Sequence, residues 1–273
     1  MTGSLAIRIF HGVKLLQRML WRRLAAIPVG ATLRCVICDS RVHRFLPYRD
    51  GTRSVPPSLA ALHIIGSDVE NFECPVCNCH DRERHLLLYL RASTLLASMP
   101  GSRILHFAPE QHLQRSIRAA GPREYVLADL FPSKPAVVRM DLEEIPFLAS
   151  HFDFVLANHV LEHVADDAQA LREIFRVLKP GGRAILQTPY ADGLARTFED
   201  PAIDSEETRL LAYGQEDHCR LYGRDFSMRV EASGLRSAIA AHEALLPDVD
   251  PIEAGVNREE PFLLFFKPDD RYG

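Results

Sequence analysis

No apolar run in this 273-residue sequence approaches the roughly 20 residues that a membrane-spanning helix needs. The N-terminus also lacks the short apolar core and small-residue cleavage site of an export signal, so we expect a cytoplasmic protein. The composition, 47% hydrophobic and 25% charged, is that of an ordinary globular protein. A chain of this length can bury one sizeable core and carry a small accessory module.

Acidic residues are missing from residues 1–38, so the remainder of the chain carries all 36 aspartates and glutamates. The basic residues of this segment are Arg8, Lys14, Arg18, Arg22, Arg23 and Arg34. An acidic body without a basic, aromatic-rich stripe argues against nucleic acid as a partner. We therefore expect a small molecule or saccharide as the substrate, and the sequence does not indicate an oligomeric state.

Apolar residues of the N-terminal segment recur every three or four positions and predict a basic amphipathic helix within residues 1–30. The apolar face comprises Leu5, Ile9, Val13, Leu16, Leu20 and Leu24. Such a helix either packs on its own protein or a second subunit, or lies in a membrane interface. The second alternative would place residues 5–24 peripherally on the inner membrane face.

Four of the six cysteines form two CxxC pairs, which indicate metal rather than disulfides. Cys35, Cys38, Cys74 and Cys77 could complete a closed, structural tetrahedral zinc site. The alternatives are unpaired buried thiols, or replacement of one ligand by Cys79, His80 or His43. We predict a zinc-binding module at 31–80, followed by a linking helix at 81–99.

Strand and helix patterns alternate in the main domain, residues 100–273, and predict a mostly parallel α/β sheet with helices on both faces. The predicted strands are 103–108, 124–128, 136–140, 152–157, 183–188 and 262–267, and the predicted helices are 111–120, 167–178 and 224–233. Ligands of such sheets bind at the carboxyl ends of the strands. At this edge, "NHVLEH" also gives His159-x-x-Glu162-His163, a metallopeptidase pattern that would need a further ligand.

The stretches "FDFVLANHVLEHV" and "LKPGG" resemble those of class I S-adenosylmethionine (SAM)-dependent methyltransferases of the type 11 kind. The resemblance is close over residues 100–190 and implies a Rossmann-like sheet that binds SAM. It places Asp129 at the ribose, Asp141 at the adenine amino group and Leu142 beside the ring. Asn158 and His159 would border the methionine part of the cofactor.

Glycine is absent from "HFAPE", which occupies the position of the family's glycine-rich first loop. Ala108 stands at the first glycine, Glu110 stands at the third, and His106 replaces the usual acid. The proline of this loop, Pro109, removes one amide donor. The resemblance therefore implies an altered cofactor site, in which Glu110 could meet the ammonium group of SAM.

The segment after the fifth strand, about 190–223, is the predicted substrate-specific insert and contains "GQEDHCRLYGRDF". We expect His218 to act as a base, Asp217 to orient it or bind substrate, and Arg220 to meet an anionic group. The alternative is a structural turn. O-methylation of a polar small molecule or saccharide is the favoured function. A zinc-module RNA methyltransferase and an inactive binding protein are the alternatives.

Overall fold

The computed structural model of the protein describes residues 19–269, except for the side chain of Ser54. The strands are β1 Leu33–Arg34, β2 Arg41–Val42, β3 Ile64–Ile65, β4 Arg103–Phe107, β5 Glu124–Asp129, β6 Val138–Arg139, β7 Phe152–Ala157, β8 Leu178–Ile185, β9 Tyr190–Ala191, β10 Arg236–Ser237 and β11 Leu264–Phe266. The helices are α1 Pro57–Ala60, α2 Asp81–Ala92, α3 Gln111–Ala119, α4 Asp167–Val177, α5 Glu206–Tyr213, α6 Phe226–Glu231, α7 His242–Leu245 and α8 Pro251–Ala254. Two short 3-10 helices, Gly51–Ser54 and Leu96–Ser98, complete the elements.

The central sheet has seven strands in the order β10-β11-β8-β7-β4-β5-β6. Strand β11 pairs antiparallel with β8 and β10, whereas β4 pairs in parallel with β5 and β7. The strand order reverses between β4 and β7, which is where open α/β sheets bind ligands. The predicted Rossmann-like α/β fold is confirmed.

Helices cover both faces of the sheet. Because successive side chains of a strand point to opposite faces, alternate residues of each strand pack in different cores. Val155 of β7 packs in the core that contains Leu171 of α4. Phe154 of β7 packs in the opposite core, with Leu90 of α2 and Leu113 of α3. The sheet is therefore buried on both sides, and its strand ends form the accessible edges.

The observed elements differ from the predicted ones mainly at β8, which begins at Leu178 rather than at residue 183. Leu178 already pairs with Phe152, and a register irregularity carries the strand across the proline and glycines that we had expected to form a connection. The helix predicted at 81–99 ends at Ala92, after which Thr94 adopts a φ of 61°. No helix among residues 19–269 is long and apolar enough to cross a membrane.

The cysteine-rich module is joined to the main domain by backbone pairing. Ile64 and Ile65 of β3 pair antiparallel with Ala191 and Tyr190 of β9. The long segment between the two cysteine pairs is thereby held beside the carboxyl edge of the central sheet.

Most of the predicted N-terminal helix lies outside the described residues, but residues 19–25 are helical. Its polar side faces the module, since Arg22 forms an ion pair with Glu73 at 2.8 Å and donates to the Pro75 carbonyl. Leu20 and Leu24, on the predicted apolar face, are 58% and 51% exposed. In the described part, the helix therefore packs through its charged side.

Candidate functional site

The glycine-free loop after β4 adopts a conformation that favours glycine. Ala108 is exposed and has a φ of 45°, and its N–H donates to the Ala128 carbonyl at 2.9 Å. A non-glycine residue in this region is strained by about 1–2 kcal/mol. Ala108, predicted to stand at the family's first glycine, therefore adopts a turn that glycine would adopt without strain.

Glu110 and His106 form a pair beneath this loop. His106 is buried; its Nε2 lies 2.9 Å from the Glu110 carboxylate and its Nδ1 lies 2.8 Å from the Tyr125 hydroxyl. Burial alone would raise the pKa of Glu110, but the hydrogen bond and charge of His106 hold it below its ordinary value. The carboxylate expected to meet the cofactor ammonium is thus ionised, and it already has an imidazole partner.

The other predicted cofactor residues meet at the carboxyl edge of the sheet. Asp129 ends β5, where its carboxylate accepts the Phe131 N–H at 2.8 Å. Asp141 is exposed after β6 and accepts the Glu143 N–H at 2.9 Å, and Leu142 beside it is buried.

Asn158 follows β7 and is buried at the same edge. Its Oδ1 accepts the Gln187 N–H at 3.4 Å, and its Nδ2 is buried without a hydrogen-bond partner among the described residues. An unpartnered buried donor at the edge where Asp129 and Asp141 also lie fits a polar ligand such as SAM.

A cavity of about 470 Å³ opens beside this edge. Four parts of the chain form its walls: the segment between the cysteine pairs, the insert after β8, the end of β7, and Arg82 at the start of α2. Its lining includes Tyr48, Val55, Leu59, Val69 and Phe72 from the first part, Tyr213, His218 and Leu221 from the second, and His159 from the third.

His159 is positioned in the cavity wall by Glu162. The His159 Nδ1 lies 3.6 Å from one Glu162 oxygen, and Thr188 donates to the other at 2.9 Å. Burial would raise the pKa of Glu162, yet the neighbouring imidazoles, His159 first, lower it to about 2. The His159 Nε2 is buried and has no partner among the described residues.

His218 presents a second imidazole to the same cavity. Its Nδ1 lies 3.3 Å from the Tyr213 carbonyl, which can only accept, so Nδ1 carries the proton and Nε2 carries the lone pair. That Nε2 is buried without a partner among the described residues. Burial lowers the pKa of His218, because it disfavours the charged form.

Asp217 and Arg220 are not placed as expected around His218. Asp217 is 71% exposed and lies 3.2 Å from the His163 Nδ1, so it pairs with His163 rather than orienting His218. Arg220 is only 3% exposed and is surrounded by protein acceptors, so the expectation that it meets an anionic ligand is wrong. Its guanidinium binds the carbonyls of Leu161, Val164 and Ala165 and the Glu199 carboxylate.

The four predicted zinc ligands converge in the module. The Sγ atoms of Cys35, Cys38, Cys74 and Cys77 all lie within 4.8 Å of one another. The Cys35–Cys77 and Cys38–Cys74 sulfur distances are 3.8 and 3.9 Å. Tetrahedral zinc with bonds of about 2.3 Å would separate its sulfurs by about 3.8 Å, so the donor set fits a zinc ion.

Local turns explain how the two pairs converge. Asp39 and Asn78 each follow a CxxC pair with φ near 63° and 67°, a conformation that aspartate and asparagine tolerate. The Asp39 N–H binds the Cys35 carbonyl, and the Asn78 N–H binds the Cys74 carbonyl. Among the considered substitutes, Cys79 has its sulfur 3.4 Å from that of Cys35.

The metallopeptidase pattern places only part of its ligands together. Glu162, His163 and His218 bring ligand-type atoms within 4.8 Å, whereas His159 does not belong to this group. Glu162 accepts from Thr188 and His163 faces Asp217, whereas the His218 Nε2 has no hydrogen-bond partner among the described residues.

The sequence analysis did not identify Arg82 or the module residues that line the cavity. Arg82 lies in "DRERH" at the start of α2, a pattern that equally describes a solvated helix terminus. The module residues occupy a turn-rich stretch without a chemical motif. The pairing of β3 with β9 and the hydrogen bond from the Gly193 N–H to the Leu62 carbonyl bring them to the sheet edge.

Comparison with known proteins supports the assignment of the central region. Residues 93–186 match a family model described as "Methyltransferase domain". The ubiquinone/menaquinone biosynthesis C-methyltransferase UbiE of Proteus mirabilis is 40% identical over 65 residues, which are 23% of this chain and 26% of that protein. An uncharacterized 37.1 kDa protein in transposon TN4556 of Streptomyces fradiae is 39% identical over 69 residues, 25% of this chain and 20% of that protein.

The chain thus spans about a quarter of the length of these curated relatives. Among solved structures, the YcgJ protein from Bacillus subtilis matches with a TM-score of 0.44 at 17% identity. The matched region covers 68% of this chain and 99% of the YcgJ chain. The 1,6-didemethyltoxoflavin-N1-methyltransferase of Burkholderia thailandensis has a TM-score of 0.46 at 16% identity, with 67% and 79% covered.

The strand order, the polar residues at the carboxyl edge and the family match define a class I methyltransferase fold. Residues 93–186 match a methyltransferase domain, in agreement with the resemblance in the sequence.

Proposed function

We propose that the protein transfers the methyl group of SAM to a hydroxyl of a small molecule or saccharide bound in the cavity. The observation that carries this proposal is the position of His159, which lies two residues after the end of β7 and also lines the cavity. The resemblance predicts that this position borders the methionine part of the cofactor. A molecule bound there would lie next to the sulfonium. Alignment of donor and acceptor is the main requirement of an in-line methyl transfer.

The predicted cofactor contacts complete this arrangement. Asp129 would bind the ribose hydroxyls, Asp141 the adenine amino group, and Leu142 the face of the ring. The turn at Ala108 would allow the backbone to approach the cofactor, and Asn158 would use its unpartnered Nδ2 on the methionine part.

His218 is the proposed general base. As the acceptor oxygen bonds to the methyl carbon, the sulfur–carbon bond breaks, S-adenosylhomocysteine leaves, and the hydroxyl proton passes to the His218 Nε2. The tautomer set by the Tyr213 carbonyl and the lowered pKa both keep this nitrogen unprotonated near neutral pH.

Zinc at the four cysteines would have a structural role in this function. Four thiolates leave no open coordination position, so the ion would hold together a module whose segment 48–72 forms one wall of the cavity.

Calorimetry with S-adenosylhomocysteine tests the cofactor site. We expect micromolar binding that Asp129→Ala abolishes, while Asp248→Ala, at an exposed aspartate outside the site, leaves it unchanged. If the folded, zinc-replete protein does not bind S-adenosylhomocysteine, the result would favour a catalytically inactive binding protein of the same fold over an enzyme.

Methyl transfer from radiolabelled SAM to a panel of hydroxylated acceptors tests the reaction. His218→Ala should reduce turnover at least a hundredfold and leave cofactor affinity within about twofold. Survival of turnover in this variant would refute the assignment of the base. Salt-dependent retention of RNA by the wild-type protein would instead support an RNA methyltransferase.

We further propose that the N-terminal helix contacts an anionic lipid surface. Its charged side is held by the module, so Leu20, Trp21 and Leu24 face outward next to a segment that has six basic residues and no acid. Sedimentation with phosphatidylglycerol vesicles should retain the wild-type protein and lose the Leu20→Ser/Leu24→Ser variant. Equal retention of both by these vesicles would refute the contact.

A further inference from the structure

Arg82 is a cation in the cavity wall, and the Glu110 carboxylate within its electrostatic range is already paired with His106. It makes no hydrogen bond or ion pair with any described residue, and its Nε is buried and unpartnered. Its guanidinium carbon lies 5.9 Å from the centre of the Phe72 ring. A partly buried charge is unfavourable unless an anion or acceptor meets it, so this position is suited to an anionic ligand.

The charge of the remaining lining supports the same ligand. No aspartate or glutamate is among the residues that line the cavity in the described part of the chain. Arg49 and His63 also line it, but Glu216 and Glu259 pair with them at 3.1 and 3.0 Å. Arg82 is therefore the cation that a bound molecule would have to neutralise.

Carboxylates close to Arg82 in sequence or space have other partners. Asp81 accepts the Asp68 N–H, and Glu83 accepts the N–H groups of His80 and His112. Glu110 lies close enough for Arg82 to lower its pKa, but it pairs with His106.

The body of the cavity is apolar and partly aromatic. Tyr48, Val55, Leu59, Val69 and Phe72 form this part of the lining. The unpartnered imidazole nitrogens of His159 and His218 also belong to the lining. Such a site is suited to a molecule with an apolar body, a hydroxyl for the imidazoles and an anionic group for the guanidinium.

We infer that the acceptor is a hydroxylated aromatic acid, whose carboxylate or phosphate pairs with Arg82. This inference rests on the proposed function and selects a small molecule over a neutral saccharide. Ala108, Asp129, Asp141 and Asn158 do not line this cavity, whereas His159 lies both in its lining and at the predicted methionine end of the cofactor. We assign the anion to the acceptor, and the cofactor's own carboxylate is the alternative that the test distinguishes.

The test titrates the full-length, zinc-replete protein with 4-hydroxybenzoate, phenyl phosphate and the neutral methyl 4-hydroxybenzoate, with and without S-adenosylhomocysteine. At least one anionic probe should bind about 10- to 100-fold more tightly than the neutral ester. Arg82→Met should remove this preference, and Arg82→Lys should keep part of it. Arg91→Met, at an exposed arginine of α2 that does not line the cavity, should change probe affinity less than threefold.

Equal binding of anionic and neutral probes to the wild-type protein would overturn the inference. A loss of S-adenosylhomocysteine affinity in Arg82→Met, without a change in probe binding, would assign Arg82 to the cofactor and also overturn it. If the cofactor fails to bind but the anion preference is present and depends on Arg82, the proposed function fails and the anion site stands.

Discussion

Arg220 offers the sharpest test of how the cavity wall is held. Its buried guanidinium donates to three carbonyls of segment 161–165 at 2.6–2.9 Å and to Glu199 at 3.0 Å. Arg220→Met would leave these acceptors unpaired and remove one of the cations beside the buried Asp167. Loss of one partner from a buried charged network typically decreases the free energy of unfolding by about 3–5 kcal/mol.

Arg220→Lys should decrease the free energy of unfolding less than Arg220→Met, because lysine keeps the positive charge. It still loses the several N–H donors of the guanidinium. We expect a loss of about 2–3 kcal/mol, which corresponds to about 4–12 °C in the melting temperature of a chain of this size. Urea and thermal unfolding followed by circular dichroism measure both values. The exposed Arg224 donates to the Asp192 carbonyl at 2.8 Å, and Arg224→Met, the matched control, should cost less than about 1 kcal/mol.

The outcome also separates a structural role from ligand binding. If Arg220→Lys melts like the wild-type protein while turnover falls, the guanidinium acts on a bound anion and our structural interpretation is wrong. If Arg220→Lys loses more stability than the Arg224 control, the result supports a structural role for the hydrogen bonds from Arg220 to segment 161–165. This segment contains Glu162.

Three further measurements address other parts of the molecule. Purified protein should contain about one zinc per chain by mass spectrometry, which Cys74→Ser loses and Cys219→Ser keeps; a stable metal-free preparation would contradict the site. Ala108→Gly should raise the free energy of unfolding by up to about 1 kcal/mol, because relief of strain exceeds the added entropy of the unfolded chain; a clear decrease would contradict the strain. Because burial lowers the pKa of His218, the unfolded state binds the extra proton, so stability should fall as the pH drops below about 6.5. In urea titrations between pH 5.5 and 8, the free energy of unfolding of His218→Gln should depend less on pH than that of the wild-type protein. An equal pH dependence in both proteins would contradict the lowered pKa of His218.

The fold could be predicted because its signals are local and mutually consistent. The continuous apolar run of β7 and the apolar stripe of α4 each specify one element, and their alternation specifies a parallel sheet. The boundary of β8 could not be predicted, since the proline and glycines of "KPGG" favour a turn between a helix and the next strand. Pairing of Leu178 with Phe152 overrides that local preference.

The site was predictable only where it consists of strand ends. Asp129 and Asn158 follow apolar strands, so the sheet brings them to one edge whatever surrounds it. Arg220 was misassigned because a polar cluster that binds ligand and one that caps backbone carbonyls have the same composition. Burial distinguishes the two, and burial depends on contacts with residues more than 50 positions away.

The cavity itself depends on a close contact that no local pattern reveals. Gly193 lies so near the module that an added Cβ would stand 2.9 Å from the Leu62 carbonyl, to which its own N–H donates. Gly66 approaches Pro189 in the same way, with an added Cβ at 3.1 Å. Since this seam fixes segment 48–72 over the end of β7, the module and the methyltransferase domain together would determine which acceptor fits. The cysteine cluster would then act on specificity at a distance, by keeping that wall in place.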